Sequence, residues 1–277
     1  MSNNQPYITF HDGRRAPQLG QGTWQLTGEA VIPALQAAVE AGYRSIDTAA
    51  SYENEAEVGR AIAQCGIPRE ALFVATKVWN DRHGHDSTKS AFQESLDRLG
   101  LDYVDLYLIH WPVPRGKRYL DTWEALIQLR DEGRARSIGV CNFQTGHLQR
   151  LLDSTGVLPV VNQIELHPYF QQAELRAYHA DHGILTEAWS PLGRTQVLQD
   201  PVILELAHQL RATPAQVVLR WHIQMEHMVI PKSSNPARIQ ENFNLWNLHL
   251  DEAAMARIAA LDRADGRIGP DPEKFPA

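Results

Sequence analysis

Asp47 and Tyr52 stand five residues apart, just past the short apolar step at Ile46. A strand closing at Asp47 would leave its carboxylate at the strand's carboxyl end and the phenol in the loop that follows. A free phenol has a pKa of ~10, so donating its proton near neutral pH requires a neighbour that tunes it and restores the proton. A lysine ammonium against the ring favours the phenolate, and a carboxylate holds that lysine in place. Lys77 and Asp47 supply those two groups, and His110 adds a neutral hydrogen-bonding group for a substrate oxygen. A plain Asp47–Lys77 ion pair with Tyr52 and His110 packed beside it fits the same spacing, so spacing alone leaves both accounts open.

The elements that would carry these groups recur regularly. Strand-like runs span Arg44 to Asp47, Leu72 to Lys77, Val104 to His110, Ser137 to Asn142, Val160 to Gln163, Ile184 to Trp189 and Met228 to Lys232. Each is followed by a helical pattern, and most intervals suit a strand, loop and helix unit of about 30 residues. The long last interval has room for two helices, over Val202 to Leu210 and Ala215 to Ile223. With a further run at Leu19 to Thr23 the count reaches eight, which predicts an α/β fold: a (β/α)8 TIM barrel, one domain over residues 1–277. His11-Asp12-Gly13 between two short runs predicts an N-terminal β-hairpin before the main fold, one that plugs or caps something. Extra helices are expected near the C-terminus. Barrel active sites form at the carboxyl ends of the strands, so the end residues Asp47, Lys77, His110, Asn142, Gln163, Trp189 and Lys232 would converge on one mouth. Asn54 is expected to cap the helix that follows Tyr52.

Composition bounds the function. The 277 residues carry a formal charge of −7, with 43% apolar and 21% charged residues. That balance disfavours bulk binding to nucleic acid or an anionic membrane but allows a local basic pocket. Cys65 and Cys141 form no CxxC pair and suit reduced thiols. Met1 to Pro6 lacks the layout of a signal peptide, and no uncharged apolar run is long enough to span a bilayer. A cytoplasmic monomer without nucleic-acid or membrane partners is the expectation. The chain has no G-x-G-x-x-G, no G-x-x-x-x-G-K and no HExxH. His83 and His85 are expected to be solvated loop residues, and no metal site is expected.

The stretch from Asp47 to Glu55 with Gly59 resembles the signature of the aldo-keto reductases. Leu106 to Pro112 and Ile230 to Ser233 resemble the family's other two signatures, and Ser137 to Phe143, Asn162 to Glu165 and Trp189 to Leu192 match in the same order. His167-Pro168-Tyr169 and Glu187 to Leu192 are most similar to the bacterial 2,5-diketogluconate reductase branch. The resemblance implies a catalytic tetrad of Asp47, Tyr52, Lys77 and His110, with Tyr52 giving a proton to a carbonyl oxygen as a nicotinamide gives hydride. It implies that Asn142 and Gln163 hold the carboxamide, that Trp189 stacks on the nicotinamide, and that Ser190 and Leu192 sit with it at the cofactor. It also implies an adenosine-phosphate site of Lys232, Ser233, Arg238, Glu241 and Asn242.

The last group has physics of its own. Asn235 can cap a helix whose first residue is Pro236, and such a helix start favours anions. Lys232 and Arg238 add two positive charges, which suits a 2′-phosphate and hence NADPH over NADH. A capped surface helix with an Arg238–Glu241 pair is the competing account. Trp24, Trp79 and Trp111 each close or follow a strand and are candidate walls of a substrate pocket, with core packing the alternative, evenly balanced for Trp24. The tail from Gly266 carries three prolines; the resemblance implies that it reaches over the pocket. The expected activity is NADPH-dependent reduction of small polar aldehydes or ketones, 2,5-diketogluconate among them. A redox-sensing nicotinamide-binding module with little turnover, and a hydrolase or isomerase barrel using Asp47 and His110, are the competing functions.

Overall fold

The computed structural model describes residues 5–116 and 118–275; Met1–Asn4, Lys117, Pro276 and Ala277 lie outside the described residues. β1 (Tyr7–Thr9) pairs antiparallel with β2 (Arg15–Pro17). The Asp-Gly turn between them works as predicted. Gly13 takes φ 83, a left-handed conformation in which a side chain would strain, and Asp12 Oδ1 accepts from Arg14 N at 2.9 Å.

Eight parallel strands follow: β3 (Gln21–Gly22), β4 (Ser45–Asp47), β5 (Phe73–Val78), β6 (Val104–Ile109), β7 (Ala135–Cys141), β8 (Val161–Glu165), β9 (Leu185–Trp189) and β10 (Met228–Val229). Each is hydrogen-bonded to the next in chain order. The first and last are joined by a parallel bridge between Leu19 and Val229, and Gly20 N donates to Val229 O at 2.8 Å, which closes the barrel. The expected strand at Leu19 to Thr23 is thus shorter than predicted, its outer residues making the seam with β10.

The strands are buried on both faces, as parallel sheets covered by helices require. On β5 and β6, Val74, Val78, Tyr107 and Ile109 belong to the large cluster shared with the helices, while Phe73, Ala75, Leu106 and Leu108 belong to a second cluster with Phe10, Ala16, Val161 and Met228. The alternation separates an outer from an inner layer. Phe10 and Ala16 come from the hairpin, so what it plugs is the amino-terminal floor of the barrel.

The outer ring runs α1 (Val31–Ala41), α2 (Glu55–Gln64), α3 (His85–Leu99), α4 (Tyr119–Asp131), α5 (Thr145–Thr155), α6 (Ala173–Asp181), α7 (Pro201–Leu210), α8 (Pro214–Gln224), α9 (Pro236–Phe243) and α10 (Glu252–Ala259). Both α7 and α8 occupy the long interval between β9 and β10. Thr213 and Gln216 form a capping box at α8, and Asn235 Oδ1 caps α9 by accepting from Arg238 N at 3.2 Å, with Pro236 at the first position. At α2 the expectation fails, because Asn54 makes no side-chain cap.

Candidate active site

Asp47 ends β4 and Lys77 lies one residue from the end of β5. In the barrel interior their side chains meet: Lys77 Nζ donates to Asp47 Oδ1 at 2.6 Å and to Thr48 O at 2.8 Å, with both residues buried. Burial opposes the ammonium, but the Asp47 carboxylate and the neighbouring phenol outweigh it and raise the lysine above its ordinary pKa. The Lys77 ammonium is therefore held close to Tyr52, whose ring centroid lies 5.1 Å from Nζ.

The loop carrying Tyr52 is a single 3-10 turn, Ala50–Tyr52, followed by Glu53 at φ 54. Asn54 holds this loop rather than the helix. Its Nδ2 donates to Thr23 O at 3.0 Å and Leu26 O at 2.9 Å, and its Oδ1 accepts from Thr48 Oγ1 at 2.7 Å. With three loop partners, the side chain has no call to satisfy the α2 amides, which is the physical reason the predicted cap is absent. Burial pushes the Tyr52 phenol up to about 12, with the Lys77 ammonium pulling the other way and Asp47 adding to the rise. The phenol thus keeps its proton at neutral pH.

His110 follows β6, with its ring edge-on to Tyr52 at 5.6 Å and to Trp79 at 5.0 Å between centroids. Ser51 Oγ lies 3.4 Å from its Nδ1. Burial and then the Lys77 charge hold His110 well below the usual imidazole pKa, so it is neutral near pH 7. Cys141 is buried on β7 in the inner cluster; burial raises its thiol and keeps it protonated, which supports a packing role.

Beside this group a cavity of about 700 Å³ opens at the mouth, lined by Asp47, Tyr52 and His110 and by Asn142, Gln163, Trp189, Ser190 and Leu192. Asn142 takes φ 64 and is tied at two points: Nδ2 donates to His110 O at 3.0 Å, and Oδ1 accepts from Trp189 Nε1 at 2.8 Å. That second bond fixes the indole plane, leaving a half-buried flat surface on the cavity wall. Gln163 Nε2 donates to Asp47 Oδ2 and to Glu187 Oε2, both at 2.9 Å.

Trp24, Trp79 and Trp111 all line the same cavity. Trp24 is 40% exposed, which removes the core-packing account, and Arg194 lies 5.3 Å over its ring. The tail contributes Pro270 and Phe275 to the wall, two residues the sequence reading did not single out. Phe275 stacks on Trp111 at 4.2 Å with an interplanar angle of 13° and meets Trp79 edge-on. Buried Glu165 anchors the tail, accepting from Ile268 N at 2.6 Å and Gly269 N at 2.8 Å. Gly269 is a close approach: a Cβ there would sit 2.4 Å from the Trp189 ring and 2.8 Å from Glu165 Oε2. The tail therefore rests on the same indole that faces the cavity.

Lys232 is exposed and also lines the cavity. Ser233 follows it in the β10–α9 turn and Arg238, Glu241 and Asn242 lie on α9; all four are outside that lining. Ser233 Oγ accepts from Asn235 N at 3.1 Å, Arg238 is exposed at the start of α9, and Asn242 is buried on its inner face. Glu241 accepts from Thr213 Oγ1 at 2.9 Å, so it braces α8 in place of pairing with Arg238. Elsewhere one expectation is corrected: His83, in the loop between β5 and α3, is buried and not solvated, and burial with the nearby Arg118 charge lowers its pKa to about 4, while His85 at the start of α3 is half-buried. No group of three or more His, Cys, Asp or Glu suited to a metal occurs among the described residues.

Glu187, named from the sequence only as part of the Glu187 to Leu192 match, and Arg194 and Thr195, not singled out there, also stand at this mouth. Glu187 carries a readable signal: it lies two residues before Trp189 on one strand and so faces the same side.

Residues 17–263 match the aldo/keto reductase family. The chain is 54% identical over 270 residues to an aldo-keto reductase of Mycolicibacterium smegmatis, and 52% identical over 274 residues to the methylglyoxal reductase DkgA of Escherichia coli K12, covering 98% of each chain in both comparisons. A crystal structure of a Gox0644 mutant in complex with NADPH superposes with a TM-score of 0.95 at 48% identity, over 98% of both chains. Family match, barrel fold and identity over nearly the whole length agree, and the chain belongs to the aldo/keto reductase family.

Proposed function

We propose that this protein reduces aldehyde or ketone carbonyls to alcohols with NADPH, and that Asp47, Tyr52, Lys77 and His110 carry the chemistry. The observation that supports this most is the meeting of four side chains from three strand ends and one loop, with a protonated phenol beside a buried ammonium at the wall of a cavity. NADPH, when bound, supplies the hydride.

The residues fit that cofactor. Trp189 offers a flat, partly open indole held by Asn142. Asn142 has spent its carbonyl on that indole, while Gln163 has spent its amide hydrogens on two carboxylates. What remains is one N–H from Asn142 and the carbonyl oxygen of Gln163, a complementary pair for a carboxamide. Ser190 and Leu192 extend the same wall. Lys232, Arg238 and the capped start of α9 suit a phosphate of the adenosine half, with Ser233, Glu241 and Asn242 as its remaining candidate contacts.

On the substrate side, Tyr52 gives its proton to the oxygen that gains negative charge, and Lys77 is the charge that eases this loss. Asp47 holds Lys77 and does not itself react. Neutral His110 can donate to the same oxygen, orienting the carbonyl. Trp24, Trp79 and Trp111, with Phe275, form an aromatic enclosure that suits compact substrates; the similarity to a methylglyoxal reductase supports small polar dicarbonyls such as methylglyoxal or 2,5-diketogluconate. The reading extends to a cytoplasmic monomer: both cysteines are free, and exposed large apolar side chains among the described residues are confined to Tyr7, Trp24 and Leu204. The test is NADPH absorbance followed with methylglyoxal. Oxidation no faster than in Tyr52→Phe would sink the reading.

A further inference from the structure

The inner layer at the mouth holds one more acid than the chemistry uses. Glu187 points from β9 into the barrel, is buried, and lies beside Gln163 on β8, its register partner. Gln163 Nε2 is 2.9 Å from Glu187 Oε2 and 2.9 Å from Asp47 Oδ2. Asp47 is an ion-paired carboxylate, which can only accept. The nitrogen end of Gln163 must therefore face inward, and Glu187 takes the second hydrogen.

We propose that Glu187 is a positioning residue of the reductase site: sharing the Gln163 amide with Asp47, it fixes the plane of that amide so that its carbonyl oxygen faces the cavity and selects a cofactor bearing a carboxamide N–H. The inference rests on the reductase reading above for its cofactor, but the amide geometry is independent of turnover. One acceptor would hold the amide nitrogen and leave the group free to swing about that bond. Two acceptors on different strands remove that freedom, and the oxygen is left pointing one way.

A second consequence concerns charge. The groups facing Glu187 are Asp47 from β4, Lys77 from β5 and Cys141 from β7, while its register partner on β10 is the uncharged Met228. The layer thus holds one cation for two carboxyls, and Asp47 has claimed it. Burial and then the Asp47 charge push the Glu187 carboxyl up to about 7, against the pull of Gln163 and Lys77. Below that pH Glu187 is neutral. Above it, a second negative charge enters the layer and makes the Tyr52 phenol a weaker acid.

The experiment compares binding of NADP with its 3-acetylpyridine analogue, which keeps the carbonyl and lacks the amide hydrogens, in wild type, Glu187→Leu and Glu187→Gln. Wild type is expected to prefer NADP about tenfold, as loss of one buried hydrogen bond implies. Glu187→Leu should cut that preference at least threefold, whereas Glu187→Gln, which keeps an acceptor, should retain it. In turnover, reduction by wild type should slow severalfold as pH rises through 7, and Glu187→Gln should lose that inflection. An unchanged preference in a folded Glu187→Leu overturns the proposal. If that variant does not fold, the same binding ratio is measured in Glu187→Met, and an unchanged preference there overturns the proposal. A wild type that binds NADP and reduces no carbonyl would sink the reductase reading, leaving the binding ratio to decide the role of Glu187.

Discussion

The two ends of the barrel interior are built from opposite materials. At the floor Phe10, Phe73, Leu106, Val161 and Met228 pack together, and the hairpin closes the opening. At the mouth β4, β5, β8 and β9 present Asp47, Lys77, Gln163 and Glu187, each buried and each bonded to another. An apolar layer gains stability from area alone and tolerates no water, whereas a buried polar layer gains little net stability yet fixes geometry. The floor therefore holds the barrel together while the mouth holds charges where water cannot screen them. Changes at the two ends should separate cleanly.

The sharpest separation is between Tyr52→Phe and Phe10→Ala. The first keeps the ring and removes the proton, so carbonyl reduction should fall about a hundred- to ten-thousand-fold with the melting temperature nearly unchanged. The second empties a buried ring site and should cost about 3–5 kcal/mol in denaturant unfolding, with kcat of the folded fraction preserved. Equal losses of stability from both would break the contrast.

Within the mouth, Lys77→Met leaves Asp47 as an uncompensated buried charge and should destabilise by about 3–5 kcal/mol while abolishing most turnover. Adding Asp47→Asn removes the orphan charge and should recover most of the stability and none of the activity. Chemical denaturation paired with NADPH oxidation measures both. Recovery of activity in the double variant would show that the ion pair is structural only.

How much of this the sequence disclosed follows the same division. The barrel was legible because strand and helix patterns repeat locally, and the gathering of Asp47, Lys77 and His110 at one mouth because polar residues close apolar runs; their grouping with Tyr52 as a tetrad came from the family resemblance. Asn54 misled because an asparagine before a helix carries one signal whether it caps that helix or ties two loops. The strand position of Glu187 was readable, but its role, like that of Phe275, depends on contacts far apart in the chain: the Gln163 amide that it shares with Asp47 reaches Asp47 across 116 residues. His83 was misplaced because a polar loop motif does not reveal what packs over it. Period encodes the elements, but the satisfaction of buried polar groups is settled only when distant strands meet.

The basic corner tests the contrast at its exposed margin. Lys232 and Arg238 are solvent-facing, so replacing both with alanine should leave the melting temperature within a degree or so, as surface changes do. Binding of NADPH should weaken roughly tenfold or more for each cation lost, with NADH little affected. Fluorescence titration with both dinucleotides gives the ratio. Equal losses would remove the 2′-phosphate from the assignment.

The smallest expected effect is at the tail. Phe275 stacks on Trp111 and abuts Trp79, and its chain is anchored by Glu165 through Ile268 and Gly269. An aromatic pair of this kind contributes about 0.5–1.5 kcal/mol, so Phe275→Ala should raise KM for a small carbonyl about two- to tenfold. Because Gly269 rests on Trp189, loosening the anchor should act on the cofactor too: Glu165→Gln removes the charge that accepts both amides and should weaken NADPH as well as substrate. The two variants thus divide the wall by function. If Phe275→Ala weakened NADPH as much as Glu165→Gln does, the ring would belong to the cofactor side of the mouth, and the aromatic enclosure would have to be redrawn around Trp24 and Trp79.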